Sequence, residues 1–162
     1  MHTRLSLVVA AAVLMLLPLD LVAAERATFI LRSGQRESGV VAAHGDQRAN
    51  LILGYFNLGN MPGGTGNLKE KAYREAEVAV IDFAGGTPSR QELAGLSRMH
   101  AQPHMLVFRS GDIFYGRFDN IIEGSKVTFT TEDGRHQSYL ARDVARVYLD
   151  TQAARTIFNV TR

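Results

Sequence analysis

The 162-residue chain is 46% hydrophobic and 21% charged, with 18 Lys and Arg against 16 Asp and Glu and no cysteine. This is the balance of one ordinary globular domain or two very small ones, not of a disordered chain. The missing cysteine excludes disulfides, thiolate metal sites, redox thiols and cysteine nucleophiles, and the near-neutral charge lacks the basic excess of a nucleic-acid footprint.

The chain opens on MHTRLSLVVAAAVLMLLPLDLVAAE: a short basic start at His2 and Arg4, a charge-free run of 15 residues from Leu5 to Leu19, and small residues Val22 and Ala24 before Glu25. That pattern predicts a signal peptide over residues 1–24, cut before Glu25, and a periplasmic or secreted mature protein. The run falls short of the ~20 residues that span a bilayer, so no membrane span is expected in the mature chain. Beyond it, residues 25–86 carry seven charges of each sign and residues 87–162 carry ten basic against eight acidic.

Next comes TFILRSGQRESGVV, whose Arg-Ser-Gly at Arg32 returns 77 residues later at Arg109 in MLVFRSGDIFYGRF. Both read as an apolar strand, a polar turn and a second strand, with Gly34 and Gly111 where a tight turn needs positive φ. Gly39 and Gly116 fall inside the second strand, where a missing side chain permits bending or close backbone approach. A matching tail follows, EVAVIDF from Glu77 against DVARVYL from Asp143. Two matched ends in the same order make an internal repeat. Alternation predicts strands Thr28–Leu31, Ser38–Ala43, Asn50–Phe56, Tyr73–Ala76 and Val78–Phe83 in the first copy. The second reads Met105–Phe108, Ile113–Ile121, Lys126–Thr131, His136–Leu140 and Val144–Leu149, with turns at Glu123 and Glu132. The first copy is longer by a Gly-rich insertion near residues 60–71, and Glu37 stands where the second has Phe114. Glu77 and Asp143 are expected to cap the turn before each closing strand.

Between the copies, Ser89 followed three residues later by Glu92 forms a capping box, which predicts a short helix over Arg90–Met99 with Leu93 and Leu96 buried. After the second copy, Asp150 is placed to cap a helix whose Ala153, Ala154, Ile157 and Phe158 share a face; a last strand is the alternative. The expected fold is all-β: two tandem five-stranded small barrels, residues 25–86 and 104–162, joined by a helical linker over 87–103.

An apolar strand, a turn ending in Gly, a strand with a central Gly and a closing strand of the VARVYL type resemble the Sm-like, SH3-like small barrels. Asp46 and Asn50 keep the Asp-four-Asn spacing of the first Sm motif. The Arg-Gly of the second motif is absent from both closing strands, and the second copy lacks the Asp and Asn. The resemblance implies an RNA-base pocket at Asn50 that is half missing here.

Other candidate sites divide by chemistry. Arg32 and Arg109 are repeated charges suited to an anion or carboxylate contact, and Tyr115 and Tyr148 read as exposed aromatics for a peptide or glycan surface. His100 and His104, flanked by Met99 and Met105, offer soft and imidazole ligands to a metal, with Pro103 breaking helical spacing between them. The Gly63, Gly64 and Gly66 loop lacks the Walker continuation, and neither His-Glu-x-x-His nor Gly-x-Ser-x-Gly occurs. No cofactor is therefore expected. The sequence points to an exported, non-catalytic binding or assembly module with protein partners, including itself through exposed strand edges. An RNA- or nucleotide-binding role and periplasmic metal handling by His100 and His104 are the alternatives.

Overall fold

The computed structural model describes residues 24–42, 50–56, 68–98 and 103–160. The first repeat forms β1 (Arg26–Leu31), β2 (Arg36–Ala42), β3 (Asn50–Phe56), β4 (Leu68–Arg74) and β5 (Val78–Asp82); α1 (Arg90–Leu96) follows. The second forms β6 (His104–Phe108), β7 (Ile113–Ile122), β8 (Lys126–Thr131), β9 (His136–Leu140) and β10 (Val144–Tyr148), and α2 (Thr151–Ile157) ends the described chain.

The repeat is reproduced in backbone register. Ala27 pairs with Gly39 and Phe29 with Glu37 in the first copy; 77 residues on, His104 pairs with Gly116 and Leu106 with Phe114. Even the irregularity between the opening and closing strands recurs, with Leu31 opposite Val78 and Phe108 opposite Val144 beside a register shift in both copies. The turn glycines explain part of this fidelity, since Gly34 and Gly111 have φ of 86° and 97°, which side-chain-bearing residues disfavour. Gly116 is required for a different reason. A Cβ there would lie 2.1 Å from the Thr130 carbonyl oxygen of the paired strand.

The strands do not close into two barrels. All ten lie in one antiparallel sheet in the order β4-β3-β2-β1-β5-β10-β6-β7-β8-β9. The expected closure fails because each closing strand spends its free edge on the other repeat: β5 lies between β1 and β10, and β10 between β5 and β6. Among the described residues no ladder joins β4 to β5 or β9 to β10, so each half stays open. Each half is nonetheless sharply curled. Strands β4 and β5 stand at opposite ends of their five-strand order, yet the 3-10 turn Glu75–Glu77 alone connects them, and Ala141–Asp143 does the same for β9 and β10.

The β5–β10 junction has a local pseudo-two-fold axis. Ile81 faces Val147, its own equivalent in the repeat, and the flanking pairs Asp82–Arg146 and Val80–Tyr148 exchange under the same operation. The bonds beyond obey it too: Phe83 and Ala84 N–H donate to the Ala145 carbonyl, and Leu149 and Asp150 N–H donate to the Ala79 carbonyl.

Every residue of β5 and β10 is buried. One face meets a core that draws on both repeats, with Phe29, Val41, Leu51 and Tyr73 from the first and Phe118, Val127 and Phe129 from the second. The other face carries Ile30, Val80, Met105, Val107 and Tyr148 beneath Leu96 of α1 and Ala154 of α2. Burial on both faces accounts for the nearly unbroken apolar runs VAVID and VARVY. Each fully buried Val or Ile there contributes about 1.5–3 kcal/mol.

The two helices start as the sequence indicates. The Ser89 hydroxyl accepts from Glu92 N–H at 3.2 Å while the Glu92 carboxylate accepts from Ser89 N–H at 3.1 Å, and Asp150 accepts from Ala153 N–H at 2.8 Å. Most strand ends fall within two residues of expectation, and the fourth strand departs furthest. The fourth strand runs Leu68–Arg74 and not Tyr73–Ala76, so the last four residues assigned to the insertion belong to β4, and residues 75–77 turn as 3-10 helix. The Glu77 carboxylate accepts from Arg74 N–H at 2.8 Å, which supplies the expected cap.

Candidate functional site

Among the described residues the two halves differ along β7. In the first half β2 runs against β3 in continuous register, Val41 opposite Leu53 and Ala42 opposite Ile52. In the second, Phe118 faces Phe129 but Asn120 faces Thr128, so Asp119 is an extra residue bulged out of the ladder. Bulges bend the strand and re-aim side chains, and they recur beside functional sites. Phe118, Val127 and Phe129 point into the core, which leaves the outer face of this sheet to Arg117, Asp119, Thr128 and Thr130.

That face forms one wall of a cleft of about 830 Å3, lined by Pro103, His104, Arg117–Asn120, Thr128 and His136–Ser138 of the second repeat and by Glu75 of the first. The 3-10 turn before β5 carries Glu75 to the start of β6, so the cleft needs both halves.

His104 is the best-defined group in it. The residue is only 8% exposed, and its Nδ1 accepts the Phe118 backbone N–H at 2.9 Å. An accepting Nδ1 leaves the ring proton on Nε2, an assignment read from the hydrogen-bond network. Burial, aided by the nearby Arg117 charge, pushes its pKa down to about 4, so the ring is a neutral N–H donor at physiological pH. Nε2 lies 3.8 Å from Glu75 Oε1, beyond direct hydrogen-bond reach but close enough for one ligand oxygen or nitrogen to touch both. Burial raises the Glu75 carboxyl above its ordinary pKa, with Arg117 opposing and Asp119 reinforcing the shift.

Further out, Asp119 Oδ2 accepts the Thr130 hydroxyl at 2.7 Å, and His136 Nδ1 lies 2.8 Å from the same hydroxyl oxygen. With the threonine proton directed at the carboxylate, His136 donates to the oxygen and does not act as a base toward it. The row is a polar cross-strand ladder, Arg117 opposite Thr130 and Thr130 opposite His136.

The residues singled out in the sequence fall in different places. Arg32 and Arg109 are each engaged with groups of the chain itself. Each spans the pseudo-two-fold junction: Arg32 Nε pairs with Asp150 Oδ2, just after β10, at 3.1 Å, and Arg109 Nη2 donates to the Phe83 carbonyl, just after β5, at 2.8 Å. Their backbones are matched as well, with Arg32 N–H donating to the Glu77 carbonyl and Arg109 N–H to that of Asp143. The repeated arginine is a clamp between halves, which is why it recurs with the turn. Tyr148 is not exposed; it is fully buried beneath the helices. Tyr115 is half-buried and donates to the Gly95 carbonyl of α1 at 3.3 Å. Asn50 begins β3 opposite Arg74, while Asp46 and His100 lie outside the described residues. A metal role for His104 meets a chemical objection, because the nitrogen facing the cleft carries the proton and has no free lone pair. Among the described residues no cluster of three His, Asp or Glu is arranged to hold a metal, and no helix is long and apolar enough to cross a membrane.

A second polar cluster escapes sequence reading because its members are far apart in the chain. Arg146, 3% exposed, donates through Nη1 to both Glu92 carboxylate oxygens at 3.1–3.2 Å and through Nη2 to the Gly85 carbonyl, and its Nε lies 3.1 Å from Asp82 Oδ1. Tyr148 donates to Glu92 at 2.6 Å, and burial followed by that contact raises its pKa. Asp82 also accepts from the Ala84 and Gly85 N–H groups at 3.1 and 2.8 Å. The cluster ties α1 and the linker to β10, and its groups are committed to one another. The signal that would have found the cleft was in the sequence: at the 77-residue offset Ala27, Val40 and Ala42 become His104, Arg117 and Asp119. No protein-family description, curated protein or solved structure matches this chain.

Proposed function

We propose that the chain is an exported, non-catalytic binding module, built from two opened copies of a small Sm-like or SH3-like unit, and that its ligand is held in the His104 cleft. The single observation that carries this reading is the asymmetry of a duplicated scaffold. Where the first half has Ala27, Val40 and Ala42, the second has the buried N–H donor His104, Arg117 and the bulge-presented Asp119, and the first half contributes only the Glu75 carboxylate 3.8 Å from His104. The arginine clamps that join the halves, by contrast, recur in both.

The chemistry favours an uncharged ligand group with a hydrogen-bond acceptor and a donor side by side, as in a peptide or carboxamide unit. The neutral Nε2–H of His104 meets the acceptor and Glu75 meets the donor, while Asn120, Thr128 and Ser138 supply further polar groups along the wall. The hydroxyl beside the cleft, that of Thr130, directs its proton to Asp119 and not to His136, which supports binding over acyl transfer. The signal-peptide pattern supports an exported setting.

Titration of the 15N-labelled protein with N-acetylglycinamide and then with short capped peptides tests the reading. Saturable shifts at the Phe118 and Asn120 amides are expected, abolished in His104→Phe and weakened in Glu75→Ala. Shifts of equal size in the wild type and in a folded His104→Phe variant would refute it.

A further inference from the structure

The ten-stranded sheet ends in two edges of opposite character. Strand β4, LKEKAYR, carries Lys69, Glu70, Lys71 and Arg74, and Lys71 reaches Glu37 of β2 at 3.4 Å. Charged residues on an edge strand, lysine above all, are the usual guard against pairing with another chain. Strand β9, HQSYL, has no Lys, Arg, Asp, Glu or Pro, and among the described residues it pairs with β8 alone. Beside it lies an aromatic cluster: Phe108 packs edge-on against Phe114 at 5.3 Å and against Tyr139 of β9 at 4.9 Å, and Phe114 is 41% exposed. The first repeat has Leu31 and Glu37 at the positions of Phe108 and Phe114, so the Phe108–Phe114 pair is not repeated there.

We propose that β9 is a self-association edge, pairing antiparallel with β9 of a second copy about a two-fold axis at Ser138. In that register Ser138 faces Ser138, Gln137 faces Tyr139 and His136 faces Leu140, so no charges of like sign oppose one another within the strand. The two-fold sets Tyr139 of both copies on the same face of the joined sheet. Self-pairing at β4 would set Lys71 against Lys71. The chain already contains one junction of this geometry, since β5 and β10 meet as equivalent strands about the Ile81–Val147 pair. The proposal does not rest on the identity of the cleft's ligand, although His136, Gln137 and Ser138 of β9 also line that cleft.

The test is sedimentation over a concentration series, using the full gene product as the producing cell processes it. The wild type is expected to dimerise. Ser138→Lys places like charges on the axis and weakens association by roughly tenfold or more, and Ser138→Glu does the same. A one-to-one mixture of the two variants restores the dimer as a heterodimer, because Lys then faces Glu. Circular dichroism and melting of each variant alone separate lost pairing from lost fold. A wild type that stays monomeric at several hundred micromolar, a folded Ser138→Lys variant that dimerises like the wild type, or a mixture no tighter than either variant alone would each overturn the proposal.

Discussion

The two halves share a backbone and divide the labour of their side chains. Registers, turn glycines and the irregularity of the closing strand are copied between them, yet Ala27, Glu37, Val40 and Ala42 of the first correspond to His104, Phe114, Arg117 and Asp119 of the second. The copied features are those that backbone geometry demands. The differences cluster on the outer face and at the margin of the second half, around a bulge absent from the described β2–β3 pairing of the first. The same holds at the junction, where the bonds obey the pseudo-two-fold axis and the side chains do not: Val80 is matched by Arg146, and Asp82 by Tyr148. One backbone thus carries two different sets of side-chain chemistry.

The largest effect is expected from making the junction symmetric. Arg146→Val restores the residue of the first half but strands two buried carboxylates, Asp82 and Glu92, and should cost about 3–5 kcal/mol in chemical denaturation. A loss below about 1 kcal/mol would mean that the cluster does not hold α1 to the sheet. Gly116→Ala comes next. Its Cβ would meet backbone 2.1 Å away, so β7 and β8 must separate, at a cost of roughly 2–3 kcal/mol.

His104 should give the chain an acid sensitivity that the alanine-bearing half cannot supply. The folded ring stays neutral down to about pH 4 whereas the unfolded chain takes up the proton near 6.5, so the unfolded state binds more protons in that window and stability falls as pH drops through it. The loss approaches roughly 3 kcal/mol at the acid end. Glu75 opposes it, because a raised carboxyl pKa in the fold adds stability as acid is added. Urea midpoints at neutral pH and near pH 4.5 should differ in the wild type and converge in His104→Gln. The smallest effect belongs to the clamps. Arg32→Ala removes a pair whose arginine is half exposed, and it should cost under about 1 kcal/mol.

Much of the fold was legible because it rests on local signals. Positive-φ glycines, two-residue alternation and the capping residues Ser89 and Asp150 act within a few positions, and strands β8 and β9 lie where alternation places them. Closure was not legible. Whether β5 completes its own half or joins β10 depends on partners 66 residues apart in sequence, and both choices bury the same VAVID run. Tyr148 illustrates the same limit. Its position in a closing strand reads as a surface aromatic until α1 and α2 are seen to cover that face. The cleft was half legible. His104 drew notice as a metal ligand, and only the Phe118 hydrogen bond reveals that its cleft-facing nitrogen is a donor. Nothing local marks Glu75, which reaches the cleft because a 3-10 turn delivers it there from the other half.

The central claim is that the two repeats are fused edge to edge into one open sheet, and an NMR measurement across the junction tests it most directly. The bonds from Phe83 to Ala145 and from Leu149 to Ala79 place the pairs Asp82–Arg146 and Val80–Tyr148 at non-hydrogen-bonded positions, where facing Cα atoms approach to about 4.5 Å. Strong Hα–Hα cross-peaks are therefore expected between Asp82 and Arg146 and between Val80 and Tyr148. Their absence, with cross-peaks joining β5 to β4 and β10 to β9 in their place, would mean two closed barrels and would contradict the account.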